Sequence, residues 1–321
     1  MDSKRLNVAL TIDVEEDGLF TGVYSSETAC VSNVRHLWRL DPLIRDYGIK
    51  PTLLTSYQVA KNAECRQILQ KLKNRWAAEI GAHLHHWNTD PKVELTHRPP
   101  VPSELIPLEV LRAKTENLLE ALTTISGERS TSFRMGRFNL GPKMFSVLEE
   151  TGFRVDSSIE PFRSEYGGPD HLVAQSDPYY PDSRDPRKNG FSKILEVPIT
   201  INPIIPKIDV LVEKARTAGL LRTDELLRLV SSLVSIPAQP AWLGLRAAKF
   251  AVTLHTLKGG RFLTIFFHSS ELAPGLNPLH PDEDSVQRFL KKLRRFFMWL
   301  TEKYDVGFIT LAEAPACFSQ K

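Results

Sequence analysis

Cysteine is scarce in this 321-residue chain: three residues, at positions 30, 65 and 317. An odd number, widely spaced, excludes a disulfide scaffold and a thiolate metal site, and suits free thiols in a reducing compartment. No uncharged apolar run reaches about 18 residues, so no membrane-spanning helix is expected. The opening stretch MDSKRLNVALTIDVEEDG meets acids directly after a short apolar run. That fits neither a signal peptide nor a transmembrane span, and a cytoplasmic location is the expectation. Charge of one sign is also missing: 41 basic residues against 38 acidic ones leave a net +3. So weak and scattered an excess argues against a nucleic-acid partner. Internal repeats and low-complexity segments are absent as well.

Present instead are short apolar runs separated by helical patterns. LNVALTID (6–13), PTLLTSY (51–57), EIGAHLH (79–85), TSFRMG (131–136), FRVDSS (153–158), KILEVPIT (193–200), RFLTIFFHS (261–269) and VGFITL (306–311) read as strands. Between them lie a helix starting near Pro107 and stopping at Gly127, and MFSVLEETG (144–152), a helix with a glycine end. About eight strands alternating with helices is the pattern of βα units around a parallel sheet. Continuous apolar character in VALTI and LTIFF suits strands covered on both faces. Two regions fit less cleanly. Residues 159–192, rich in Pro, Gly, Asp and Arg, read as a long surface loop, and 205–258 as a helical insertion in a single domain of 1–321.

Polar groups gather where the strands end: Asp13, Glu15, His83, Arg134, Asp156 and His268. In α/β barrels that end carries the active site. Asp13 and Glu15 stand at i and i+2, which aims both to one face of an extended strand. Two such carboxylates can divide labour between metal ligation and base catalysis, although an acidic strand exit reads the same way. In GAHLHHW (81–87) His83 and His85 share the i, i+2 spacing, while His86 faces away and joins His83 only if the segment has turned helical. A carboxylate with two imidazoles and open positions is a typical catalytic set for zinc or a related divalent ion. The guanidinium fork of Arg134 can orient a carboxylate such as Asp13. His268 follows the largely apolar run LTIFF, a place for a satisfied core histidine or for one with a task.

TIDVEE, EIGAHLHHW, SFRMGRF, GFRVDSS and FFHSSEL stand in the order of the motifs of the NodB-homology polysaccharide deacetylases, carbohydrate esterase family 4, which the chain resembles over most of residues 6–315. The resemblance implies a distorted (β/α)7-type barrel that removes acetyl groups from sugars with a divalent metal, zinc being the expected ion. It differs from the usual pattern in three motifs, the second of which has Leu84 for its usual Ser/Thr. Thr11-Ile12-Asp13-Val14-Glu15 stands for Thr-Phe-Asp-Asp-Gly, Trp87 occupies the place of the second motif's last histidine, and Met135-Gly136 follows Arg134 where prolines are usual. The chain thus looks like a divergent branch, similar to deacetylases of surface-polysaccharide biosynthesis.

Carried over residue by residue, the resemblance implies Glu15 with His83 and His85 (His86 in reserve) on the metal and Asp13 as base. Arg134 would support Asp13, His268 would be the acid, and a backbone N–H after Gly136 would aid the oxyanion. Asp156 is the match by order for the aspartate that tunes the histidine, and Trp87, Arg137 and Asp156 are the expected substrate contacts. The expected partner is an acetylated sugar or polysaccharide precursor. Rival readings are a metal amidohydrolase on a cyclic amide or ureide, and an inactive barrel that only binds sugar. A glycosidase is disfavoured because i, i+2 carboxylates are poorly placed to flank a bond from two sides. FLKKLRRFFMWL (289–300) reads either as a barrel helix with a basic outer face or as a peripheral membrane contact, and PAWLGLRAAKF (240–250) invites the same pair of readings.

Overall fold

Eight parallel strands form one curled sheet in the computed structural model, which describes residues 5–21, 24, 29–95, 101–163, 169–172, 174–205, 207–220, 229–231 and 233–319. They are β1 (Leu6–Val14), β2 (Thr52–Ser56), β3 (Glu79–Leu84), β4 (Ser132–Met135), β5 (Val155–Asp156), β6 (Leu195–Glu196), β7 (Phe262–His268) and β8 (Val306–Ile309). The order runs β7-β1-β2-β3-β4-β5-β6. β1 pairs along its length with β7, and its other edge is shared, Leu6–Ala9 with β8 and Thr11–Val14 with β2. This is the distorted α/β barrel expected of the sequence.

Alternation along the strands decides which side chains meet the helices and which meet the barrel interior. Val8, Leu10, Ile12 and Val14 of β1 join Ile80, Ala82 and Leu84 of β3 in the large core under the helices. Phe133 and Met135 of β4, and Leu263, Ile265 and Phe267 of β7, belong to the same core. The intervening residues, Asp13 and Glu15, His83 and His85, Arg134, and His268, are thereby left on the inner face.

The helices end where the sequence says. Leu108–Ser126 stops at Gly127 with φ 77°, and Pro142–Thr151 at Gly152 with φ 83°. That left-handed conformation costs glycine little and other residues more. Glu283–Lys303 opens with a capping box from Asp282 and buries Phe289, Leu293, Phe296, Phe297 and Leu300. Its apolar stripe is therefore spent on the barrel. In the neighbouring segment Ala241 and Ala248 are buried, while Trp242 and Phe250 are exposed. No helix of the described residues is long and apolar enough to cross a membrane.

Strand boundaries at 153–158 and 193–200 are narrower than expected, with only Val155–Asp156 and Leu195–Glu196 in the ladder. Residues 159–192 are not simply a surface loop. They bury Ile159, Phe162, Leu172 and Tyr179 and carry a short antiparallel pair, Pro181–Asp182 with Asp185–Asn189. Within 205–258 the described elements are the helices Ile208–Thr217 and Leu245–Leu257 and a strand, Ser235–Pro237, that pairs antiparallel with Ile201–Pro203.

β6 and β7 do not pair, so the barrel has a seam, and side chains stitch it. Gln239 donates through Nε2 to the Thr264 carbonyl (2.8 Å) and accepts from the Phe266 N–H (2.9 Å), making the two bonds a neighbouring strand would make. Thr200 Oγ1 accepts from the Thr264 N–H and Asp177 Oδ1 from the Phe262 N–H. The free edge of β7 is thus satisfied without a ladder, as buried backbone requires.

Candidate active site

Three inward side chains converge at the C-terminal strand ends. The Nε2 atoms of His83 and His85 lie 2.9 Å apart, and Glu15 Oε2 lies 3.3 Å from each. All three residues are buried. Each imidazole is turned by a second partner: His83 Nδ1 sits 3.1 Å from the Arg134 carbonyl, and His85 Nδ1 2.8 Å from Glu16 Oε1. A carbonyl and a carboxylate accept only, so both Nδ1 atoms are donors, which leaves both Nε2 atoms facing inward toward Glu15. Glu16 is itself fixed by the Ser56 hydroxyl and the Asn88 amide.

Two imidazole nitrogens and a carboxylate oxygen facing one another hold together only around a cation. Tetrahedral bonds of about 2.0–2.1 Å to zinc place ligand atoms roughly 3.3 Å apart, close to the spacing here. Glu15, His83 and His85 therefore fit a divalent metal by donor type and by distance. With no metal bound a proton has to serve. Burial opposes the charged imidazole of His85, but Glu16 and Glu15 outweigh it and push its pKa up to about 10. The Glu15 carboxyl is held far below the usual range: burial resists its charge, and His268, His83 and His85 overcome that.

Beside the triad, Arg134 Nη1 donates to Asp13 Oδ1 at 2.6 Å. This guanidinium is fully buried. Its Nε and Nη2 donate to the Ser157 carbonyl (2.8 Å) and hydroxyl (2.9 Å), and its plane lies 5.5 and 5.3 Å from the Phe138 and Phe266 ring centres. The other Asp13 oxygen, Oδ2, lies 4.0 Å from His268 Nε2, as does Glu15 Oε1. His268 Nδ1 is 3.2 Å from Glu271 Oε1, and Glu271 also accepts the His268 N–H. Burial disfavours the His268 imidazolium, yet Glu15, Glu271 and Asp13 raise its pKa to about 9. Contacts with His268 and His280 likewise overcome burial at Glu271 and lower it to about 2.

The cavity over these groups, about 120 Å3, is rimmed by Phe20, Tyr24, Trp87, Arg137 and Phe138. Trp87 stacks on His85 with centroids 4.4 Å apart and meets Tyr24 edge to face. Arg137 donates to the Tyr24 hydroxyl and lies over its ring. Arg137 and Phe138 both have positive φ (57° and 52°), a strained turn of the kind that clusters at functional sites. Gly136 before them is required by space: a Cβ there would fall 2.5 Å from His85 Cδ2.

At 15% identity a protein assigned as a polysaccharide deacetylase, from Mycobacterium smegmatis, superposes with a TM-score of 0.52 over 98% of this chain and 90% of that one. One assigned as a glycoside hydrolase/deacetylase, from Parabacteroides distasonis, gives 0.64 at 14% identity over 99% and 72%. The fold is that of the polysaccharide deacetylases. A 4-α-glucanotransferase from Thermococcus litoralis shares it over 40% of its own length, at a TM-score of 0.52 and 13% identity. No family model matches the sequence, and no curated protein matches it.

Within that fold the structure brings together Asp13, Glu15, His83, His85, Arg134 and His268, with Trp87 and Arg137 on the rim. His86 points elsewhere: its Nε2 accepts from the Val101 N–H at 3.0 Å, and burial, with Lys114 and His85 nearby, lowers its pKa to about 3. Asp156 does not reach the cavity. It pairs in register with Phe133, whose side chain is in the outer core, so it faces away from the barrel interior, buried beside Glu196. The carboxylate at His268 Nδ1 is Glu271, not Asp156. Sequence reasoning missed Glu271, Glu16, Ser157 and Tyr24. Glu271 had a local signal, an acid three residues after His268 that closes a capping box, and Glu16 stood in the acidic run after Asp13.

Proposed function

We propose that this chain is a metal-dependent hydrolase that removes acetyl groups, from nitrogen in particular, from a sugar or polysaccharide precursor. The observation that carries the reading is the meeting, at one strand end, of the Glu15–His83–His85 set, the Asp13–Arg134 pair and His268. Glu15, His83 and His85 would hold the divalent ion, zinc by choice of ligands, which when bound polarises a carbonyl and acidifies water. Asp13 acts as base through Oδ2, because Oδ1 is engaged by Arg134. His268 carries the proton a departing amine needs, and Glu271 fixes the tautomer that presents Nε2–H to the cavity. The exposed phenyl ring of Phe20 offers a flat face to a sugar ring, with Trp87 and Arg137 in the cavity wall beside it. A cavity of about 120 Å3 suits a small acyl group with the sugar across the rim.

The test is metal analysis of the purified protein with acetate release from UDP-linked and lipid-linked N-acetyl sugars. Stoichiometric metal and acetate release support the reading. Metal without acetate release, but with turnover of a cyclic amide, would favour the amidohydrolase. Protein without metal that still binds sugar would favour the inactive barrel.

A further inference from the structure

Behind His268 lies a buried histidine that the mechanism does not use. Glu271 turns Oε1 to His268, accepting its backbone N–H at 3.0 Å and facing Nδ1 at 3.2 Å. Its other oxygen, Oε2, faces His280 Nε2 at 3.6 Å, an ion-pair separation longer than a hydrogen bond. Neither Oε2 nor either ring nitrogen of His280 has a hydrogen-bond partner among the described residues, and both residues are buried. Buried polar groups seldom stay unpaired, and these two face each other. Burial works against the charge of Glu271, and His268 and His280 sustain it.

The chain holds this ring in place without using its nitrogens. The His280 N–H donates to the Asn277 carbonyl at 2.9 Å, and the His280 carbonyl accepts the Gly275 N–H at 2.9 Å. The imidazole lies on the Phe289 ring, centroids 4.8 Å apart and planes 29° from parallel. Packing of that kind needs no nitrogen, so the nitrogens are free for Glu271. We propose that His280 is a positioning residue for His268: its Nε2–H holds Glu271 Oε2, and one carboxylate is shared by two imidazoles. Of the two, His268 lines the cavity. The role rests on the hydrolase reading, in which His268 is the acid. A donor on Oε2 draws charge from Oε1, loosens the hold of Glu271 on the His268 proton and makes His268 the readier acid. The other charged groups around this unit are Glu15 and Asp13 at His268, and Lys292, which lies over the Phe289 ring and feels the charge of Glu271.

The experiment is the pH–rate profile of acetate release by the parent, His280→Phe and His280→Gln, with nitrogen NMR of the parent's histidine rings. His280→Phe keeps the stacking and loses the donor. Its alkaline limb should move to higher pH by about 0.5–1 unit, the worth of one hydrogen bond. That is the reverse of the shift expected on removing the Glu271 charge. His280→Gln, whose amide can donate to Oε2, should keep the parental profile. In the parent, NMR should find a proton on His280 Nε2. A bare Nε2 overturns the proposal, and so does a limb that stays in place in His280→Phe. Equal shifts in both variants overturn it too, and would mark the ring as packing for Phe289. The NMR reading needs no turnover. Protein that releases no acetate therefore defeats the hydrolase reading alone, and the Nε2 proton still decides the pairing, as it does should His280→Phe fail to fold.

Discussion

Two acidic clusters lie at C-terminal strand ends of the same sheet, and they meet the cost of burying carboxylates in opposite ways. Glu15, on the inner face, is ringed by nitrogen: His83, His85 and, at 4.0 Å, His268. Its carboxyl is driven toward the ionised form. Asp156 and Glu196, on the outer face, are register partners on β5 and β6, each fully buried. Around them are the Ser158 hydroxyl, 2.6 Å from Asp156, and the Ile159 N–H, 3.1 Å from Glu196 Oε1. Arg134 offers only partial relief. Burial raises the pKa of both, and the neighbouring Asp156 raises Glu196 well above the usual range. A proton shared between them takes the place that a metal would take at Glu15. Strand-end position does not make a carboxylate functional; the parity of its strand and the groups facing it do.

The sharpest way to break this contrast is to remove the nitrogens. His83→Ala and His85→Ala are each expected to lose stoichiometric metal and acetate release, whereas His86→Ala keeps the metal, as metal analysis of the three proteins would read. Next comes Asp13→Asn, expected to retain metal and lower kcat by about 10^2–10^4-fold, the range of a lost general base; near-parental turnover would exclude Asp13 from that role. Arg134→Met strands Asp13 in a buried site and should cost about 3–5 kcal/mol in urea denaturation. Glu271→Gln removes the anion at His268 Nδ1. Its pH–rate profile should keep its shape while the alkaline limb, set by loss of the His268 proton, moves to lower pH.

The inner cluster was legible because two periodicities coincide there. Asp13 and Glu15, and His83 and His85, repeat at the strand period, and the apolar residues between them, Val14 and Leu84, declare the other face. The fold was legible for the same reason, with glycines 127 and 152 ending helices where a left-handed residue is needed. What stayed hidden depends on register between strands far apart in the chain. Ser157 reaches Arg134, and Asp156 turns away from it, only because Phe133 pairs with Asp156 and not with its neighbour. Gln239 can complete the edge of β7 only once that edge is known to be unpaired. His83 and His85 could be separated from His86 by alternation, but the Glu16 contact that orients His85 required the fold of β1 against β3 through β2.

The smallest effect tests the outer cluster most directly. In the unfolded chain Glu196 loses its proton around the ordinary glutamate pKa, about 4.3. In the fold its pKa is raised well above that, so the native state binds the extra proton. Stability must then fall as pH rises from about 4 toward the folded pKa, because the folded state holds a proton that the solvent increasingly withdraws. Glu196→Gln supplies a permanent donor to Asp156 in nearly the same shape. It should match the parent near pH 4 and become progressively more stable than the parent as pH rises toward 8. Urea denaturation at a series of pH values reads the difference. A gap that does not grow with pH would mean that the two carboxyls share no proton, and the outer cluster would then need a buried cation of its own.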